Sequence, residues 1–107
     1  MSASEIFTTK IASRLADPAQ ASTMKELDAV YQFNLTGAET GSWFVDLKAG
    51  QVGTGTHDSA DCTITVDASD FEDLYNGDVQ GAQLFMTGKL KIAGNIGLAL
   101  KLNQIMG

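Results

Sequence analysis

Two hydrophobic periods divide the chain. Near its start Phe7, Ile11 and Leu15 recur every four residues, which predicts a helix over about residues 4–16 with one apolar stripe. Asp17-Pro18 breaks that pattern and restarts it, because Asp17 can cap and Pro18 fits the tolerated first position of a second helix reaching about Leu27. From Tyr31 the period drops to two. Tyr31, Phe33 and Leu35 alternate with Gln32 and Asn34, and Trp43, Val45 and Leu47 alternate with Phe44, Asp46 and Lys48. Further on, Cys62, Ile64 and Val66 alternate with Thr63 and Thr65, and Leu90 and Ile92 with Lys89 and Lys91. Each alternation predicts a strand with one covered and one wet face. Residues 51–56 hold Val52 as their single large apolar side chain among glycines and read as a weak or edge strand.

Between the last two strands the pattern turns helical again. One short helix opens at Ser69, with Glu72 three residues on to complete a capping box, and stops at Asn76-Gly77; another spans about residues 78–86. Asn95 then caps a last helix over about residues 96–106. At about 100° per residue Leu98, Ala99, Leu102, Ile105 and Met106 form one stripe, while Ile96 and Leu100 fall nearly opposite. Such a helix needs cover on two sides: the sheet on one, and either a second helix or a ligand on the other. A helical start, clustered strands and short connections predict an α+β fold, a largely antiparallel sheet of about five strands with helices packed on one face. The length, 107 residues, fits a single domain spanning 1–107.

Composition narrows the function classes. With 44% hydrophobic and 19% charged residues and one proline, the chain is compact rather than disordered. Its net charge of -6, with only seven Lys and Arg, opposes contact with phosphate-rich surfaces, so nucleic acid is not an expected partner. No base occurs between Lys48 and Lys89, an interval that holds seven acids and reads as a solvated acidic face or a dock for a basic partner. No run approaches the ~20 apolar residues of a membrane span, and the first residues lack the basic start and apolar core of a signal peptide. The single cysteine, Cys62, sits on a strand face and is expected to pack inward, in keeping with a reducing, cytoplasmic setting.

Catalytic patterns are absent. His57 is the sole histidine and has only Asp58 and Asp61 nearby in sequence, too few ligands for a metal. Gly50, Gly53 and Gly55 are wrongly spaced for a dinucleotide turn. No Ser, Cys or Lys stands in a nucleophile motif, so no enzymatic activity, metal or cofactor is expected. Arg14, the only arginine, projects close to the first apolar stripe and must be paired there. It reads either as a snorkelling side chain or ion pair to Asp17 or Glu26, or as an anchor for a carboxylate or phosphate, which its planar fork suits.

Three stretches, Trp43 to Gly50, Ala60 to Phe71 and Phe85 to Leu102, the last with its Gly-Lys-Leu-Lys-Ile-x-Gly-Asn-x-Gly-Leu run, resemble the sterol carrier protein 2 family in order and spacing. The resemblance covers about Ile6 to Met106. It implies a lipid carrier, whose partner is a long-chain fatty acid, fatty acyl-CoA or sterol held in a tunnel between the covered sheet face and the helices. It places Ile11, Leu15, Phe33, Trp43, Val45, Phe71, Leu74, Phe85, Leu98, Leu102 and Ile105 as candidate lipid-binding residues, and Arg14 beside the head group. The segment Lys10-Ile11-Ala12-Ser13-Arg14-Leu15 is similar to that of insect members, whose arginine approaches the fatty-acid head group. The residues after Pro18 depart from them, so polar anchoring is expected to weaken or to shift to Gln20 or Lys25. Because this family's domain is also fused to multifunctional β-oxidation enzymes, the alternative is an accessory module presenting substrate to lipid-metabolising enzymes. The Met1 start favours the free carrier, with transient membrane or enzyme contact. Vertebrate members end in a peroxisomal tripeptide, whereas this chain ends Ile105-Met106-Gly107, which again points to the cytoplasm.

Overall fold

The computed structural model describes residues 2–102. Five strands, β1 (Val30–Thr36), β2 (Gly41–Asp46), β3 (Gln51–Thr54), β4 (Cys62–Asp67) and β5 (Leu90–Gly94), form one sheet in the order β3-β2-β1-β4-β5. The first three make an antiparallel meander; the chain then returns to lay β4 parallel on the free edge of β1, and β5 adds antiparallel to β4. The sheet is therefore mixed at its centre and largely antiparallel elsewhere. The pleat follows the alternation read from the sequence: Tyr31, Phe33, Leu35, Cys62, Ile64 and Val66 all point to the covered face and are buried.

Helices cover that face. The first helical segment runs through α1 (Ala3–Glu5), a π-helical run (Ile6–Ile11) and α2 (Ala12–Ala16) without a break. The sequence predicts plain four-residue spacing here; the wider i→i+5 turn instead brings Ile6 and Ile11 to the same side as Phe7, and all three are fully buried. α3 (Pro18–Lys25) is capped by the Asp17 carboxylate, which accepts the Ala19 N–H, and it stops two residues short of the predicted end. α4 (Ala68–Asn76) opens one residue before the predicted Ser69. Asp67 leaves β4 in an extended conformation with a charged acceptor that takes both the N–H and the hydroxyl of Ser69, so Asp67 caps the helix and the Ser69–Glu72 box does not form. α5 is confined to Gly81–Met86 because Gln80 is extended and shares reciprocal bonds with Gln83. α6 (Ile96–Ala99) continues as a turn to Leu102; the rest of the predicted last helix, with Ile105 and Met106, lies outside the described residues. None of the helices among the described residues is long and apolar enough to cross a membrane.

An aromatic cluster fills the space under β1 and β2. The Phe7 ring stacks on Phe71 at 4.8 Å and on Trp43 at 5.3 Å, and leans on Phe33 at 5.2 Å. Such offset stacks add specific geometry to a large apolar burial. The opposite sheet face is less wet than alternation predicts. Residues 55–61 fold back over it and cover Gln32, which is 2% exposed: its Nε2 donates to the Gly55 carbonyl and its Oε1 accepts the His57 N–H. His57 reaches the Asp46 carboxylate at 3.1 Å. Burial pushes the Asp46 carboxyl up, but its bonds from the Ala49 N–H and His57 outweigh this and hold it below the usual carboxylate range.

Candidate functional site

The covered face is not filled evenly. Away from the aromatic cluster, beneath β5 at one edge of the sheet, α4, α5 and α6 border a half-open cavity of about 780 Å³. Leu74 and Tyr75 come from α4, Phe85 and Met86 from α5, Leu90 and Ile92 from the covered side of β5, and Ile96, Ala99, Leu100 and Leu102 from α6 and the turn after it. Among the described residues its lining has no charged side chain and no Ser, Cys or His; the Tyr75 phenol and the Asn76 and Gln80 amides are its polar groups.

Three local features hold α6 as the cavity's outer wall. Gly94 turns the chain out of β5 with φ +88°, and a Cβ there would lie 2.6 Å from the Asp61 carbonyl oxygen. Asn95 then donates its N–H to that same carbonyl and caps α6 with its side chain, accepting the Leu98 N–H. Tyr31 completes the attachment from the sheet, its hydroxyl donating to the Leu98 carbonyl at 2.6 Å. Burial, with the neighbouring Cys62 adding to it, holds the Tyr31 phenol far above its ordinary range, so this donor keeps its proton. The two apolar sides of the helix then separate. Ala99 and Leu102 are buried and Leu98 packs against the core, whereas Ile96 and Leu100 are 53% and 74% exposed at the cavity's rim.

Of the side chains singled out from the sequence, Leu74, Phe85 and Leu102 line the cavity. Ile11, Phe33, Val45 and Phe71 are fully buried in the core, and Trp43, Leu15 and Leu98 are partly buried against it. Ile105 lies outside the described residues. Arg14 stands on α2, which packs on α3 and β3 at the edge of the sheet opposite β5. Its Nε donates to the Gln20 side chain at 2.9 Å, and Gln20 donates onward to the Asp17 carboxylate. That bond from Gln20, with the Ala19 N–H, draws the Asp17 carboxyl below its usual range. Cys62 is buried, and burial together with Asp61 pushes its thiol up to about 11, which leaves little thiolate for chemistry.

The cavity also uses residues not assigned to it from the sequence: Tyr75, Val79, Met86, Leu90, Ile92, Ile96, Ala99 and Leu100. For Ile96 and Leu100 the signal was present as the second apolar side of the last helix. For Leu90 and Ile92 the covered strand face was legible, but not what lay beneath it. Nothing local to Tyr75 or Val79 distinguishes them from ordinary half-buried residues.

An apolar cavity without charged lining, set between a sheet face and the helices that cover it, marks this small α+β domain. The chain belongs to the SCP-2 sterol transfer family, whose sequence profile matches residues 8–107. It is similar to hydroxysteroid dehydrogenase-like protein 2 of Xenopus tropicalis, 44% identical over 87 residues that cover 78% of this chain and 21% of that protein. The chain thus spans about a fifth of the length of the curated relatives it matches. Among solved structures it is similar to the apo form of sterol carrier protein 2 from Yarrowia lipolytica, with a TM-score of 0.78 and 35% identity over 90% of this chain and 83% of that one. Palmitated SCP2L2 from Aedes aegypti superposes with a TM-score of 0.75 at 28% identity, covering 99% of this chain and 95% of that one.

Proposed function

We propose that this domain binds and carries one long-chain lipid, a fatty acid or its acyl-CoA, with the acyl chain in the cavity under β5. The observation that carries this reading is the uncharged cavity of about 780 Å³, within the range of sites that enclose a small molecule. The similar palmitated structure from Aedes aegypti supports an acyl chain as occupant. Burying an acyl chain gains about 0.8 kcal/mol per methylene, so roughly fourteen of them give ~11 kcal/mol before ordering and association costs, enough for micromolar or tighter affinity. The described lining offers no acid, base or nucleophile, which supports binding without catalysis. Titration with a fluorescent acyl probe, alongside native mass spectrometry, should give saturable binding at one lipid per chain. If fatty acid, acyl-CoA and sterol all fail to bind at micromolar protein, the carrier reading falls.

A second reading has one specific support: the similar region of hydroxysteroid dehydrogenase-like protein 2 is about a fifth of that protein. On this reading the domain presents its lipid to a lipid-metabolising enzyme. Transfer of bound fatty acid to acceptor vesicles separates the two, since a carrier releases its cargo to membranes alone and a presenting module needs the enzyme.

A further inference from the structure

The ring cluster and the cavity meet along α4. This helix packs on both β4 and β1. Near its start Phe71 stands among the rings, and one turn on, on the same side, Leu74 and Tyr75 line the cavity. Leu102 marks the same boundary after α6, being part of the core and of the cavity wall. On this inner side the cavity therefore ends against packed side chains, not against backbone. Phe7 is the hub of that partition. Its ring lies nearly parallel to those of Phe71 and Trp43, at 10° and 9°, and is tilted by 59° on Phe33; the other three rings share one contact, Phe33 with Phe71 at 5.7 Å. Phe7 comes neither from the sheet nor from α4 but from the first helical segment, where the π-helical turn sends Ile6, Phe7 and Ile11 inward together. Such turns recur at functional sites, and this one delivers a single ring into a space bordered by three others. The volume it fills is apolar room: emptied, it would stay dry and take up an apolar ligand rather than water.

We propose that Phe7 is the stop that sets how long an acyl chain this domain accommodates. Methylenes fill the cavity under β5 as far as the Phe7–Phe71 stack, and those beyond it find no further apolar cover inside the molecule. Phe7 touches the far end of the ligand only through Phe71, which its ring holds in place, so it determines chain-length specificity without taking part in head-group binding. The proposal rests on the carrier reading, to which it adds the class of ligand, an acyl chain of limited length.

The test is a chain-length series. Lauroyl-, palmitoyl-, arachidoyl- and lignoceroyl-CoA share one head group, so their relative affinities report the chain alone; each is titrated below its micelle concentration against a fluorescent acyl probe bound to the parent or to Phe7→Ala. In the parent, affinity should rise with length and then level off within the series. In Phe7→Ala the rise should continue past the parental plateau, so that the ratio of lignoceroyl to palmitoyl affinity grows about 10-fold, the worth of roughly two more buried methylenes. Phe7→Leu keeps the site apolar and removes less volume; it should move the ratio the same way by less, and it decides the matter if urea melts show that Phe7→Ala does not fold. Leu47→Ala, at a fully buried position that carries no ring, separates a stop from a loosened core: it should lower stability and leave the ratio parental. A parent without a plateau, Phe7 variants that fold and keep the parental ratio, or a Leu47→Ala that shifts the ratio as far as Phe7→Ala would overturn the proposal while leaving the carrier reading intact. Absence of binding at every chain length overturns the carrier reading itself.

Discussion

Arg14 illustrates how far one residue can be read. Its position beside an apolar stripe requires a partner, and the structure supplies one in Gln20, which relays to the Asp17 cap of α3. The sequence shows the need for pairing and offers Asp17, Glu26 or a ligand, but not Gln20, because that partner depends on how α2 and α3 meet at the Asp17-Pro18 corner. The cavity beneath β5 is at the other edge of the sheet from α2. Arg14→Ala should therefore weaken binding of a fatty acid and of the corresponding alcohol by the same factor, through a loosened α2–α3 corner. A selectively larger loss for the acid would place the carboxylate beside α2 and extend the ligand across the aromatic cluster. Measuring both ligands with one displacement assay decides it.

At the scale of elements, α6 depends on the turn that launches it. Gly94 combines a left-handed backbone with a carbonyl 2.6 Å from where a side chain would begin, so no other residue fits without moving Asp61. Gly94→Ala should cost about 1–3 kcal/mol in urea melts and should also weaken lipid binding, since the strained turn would displace α6 from the cavity it borders. An alanine variant with parental stability would mean that the turn relaxes freely and does not set the wall. The strands were legible because alternation has a two-residue period that a core on one side enforces. The Asn95 cap was legible for the same kind of local reason. The π-helical run was not: Ile6 and Ile11 lie five apart and Phe7 and Ile11 four apart, so the sequence allows either spacing, and packing against Phe33, Phe71 and Trp43 selects the wider turn.

Across the whole molecule, the distribution of rings decides where the empty space falls. The resemblance places Phe33, Trp43 and Phe71 among the candidate tunnel residues, along with Leu74, Phe85 and the last helix; in the fold these three pack around Phe7. That closure is a tertiary fact, invisible to periodicity, and it leaves the cavity to the mainly aliphatic side chains of α4, α5, β5 and α6, with Tyr75 and Phe85 among them. Leu102 belongs to both regions, being 5% exposed, part of the core and part of the cavity wall. An acyl chain lying along the cavity would pass Leu102, so Leu102→Trp should reduce the space open to it. Calorimetric titration of octanoate and palmitate into the parent and into Leu102→Trp is the most direct measurement. The parent should bind palmitate far more tightly than octanoate, because each added methylene is worth about fourfold in affinity; Leu102→Trp should leave octanoate nearly unchanged and remove most of the advantage of palmitate. If instead the variant keeps the parental ratio of the two affinities and loses only stability, about 1–3 kcal/mol as an overpacked core does, the acyl chain does not lie beneath α6.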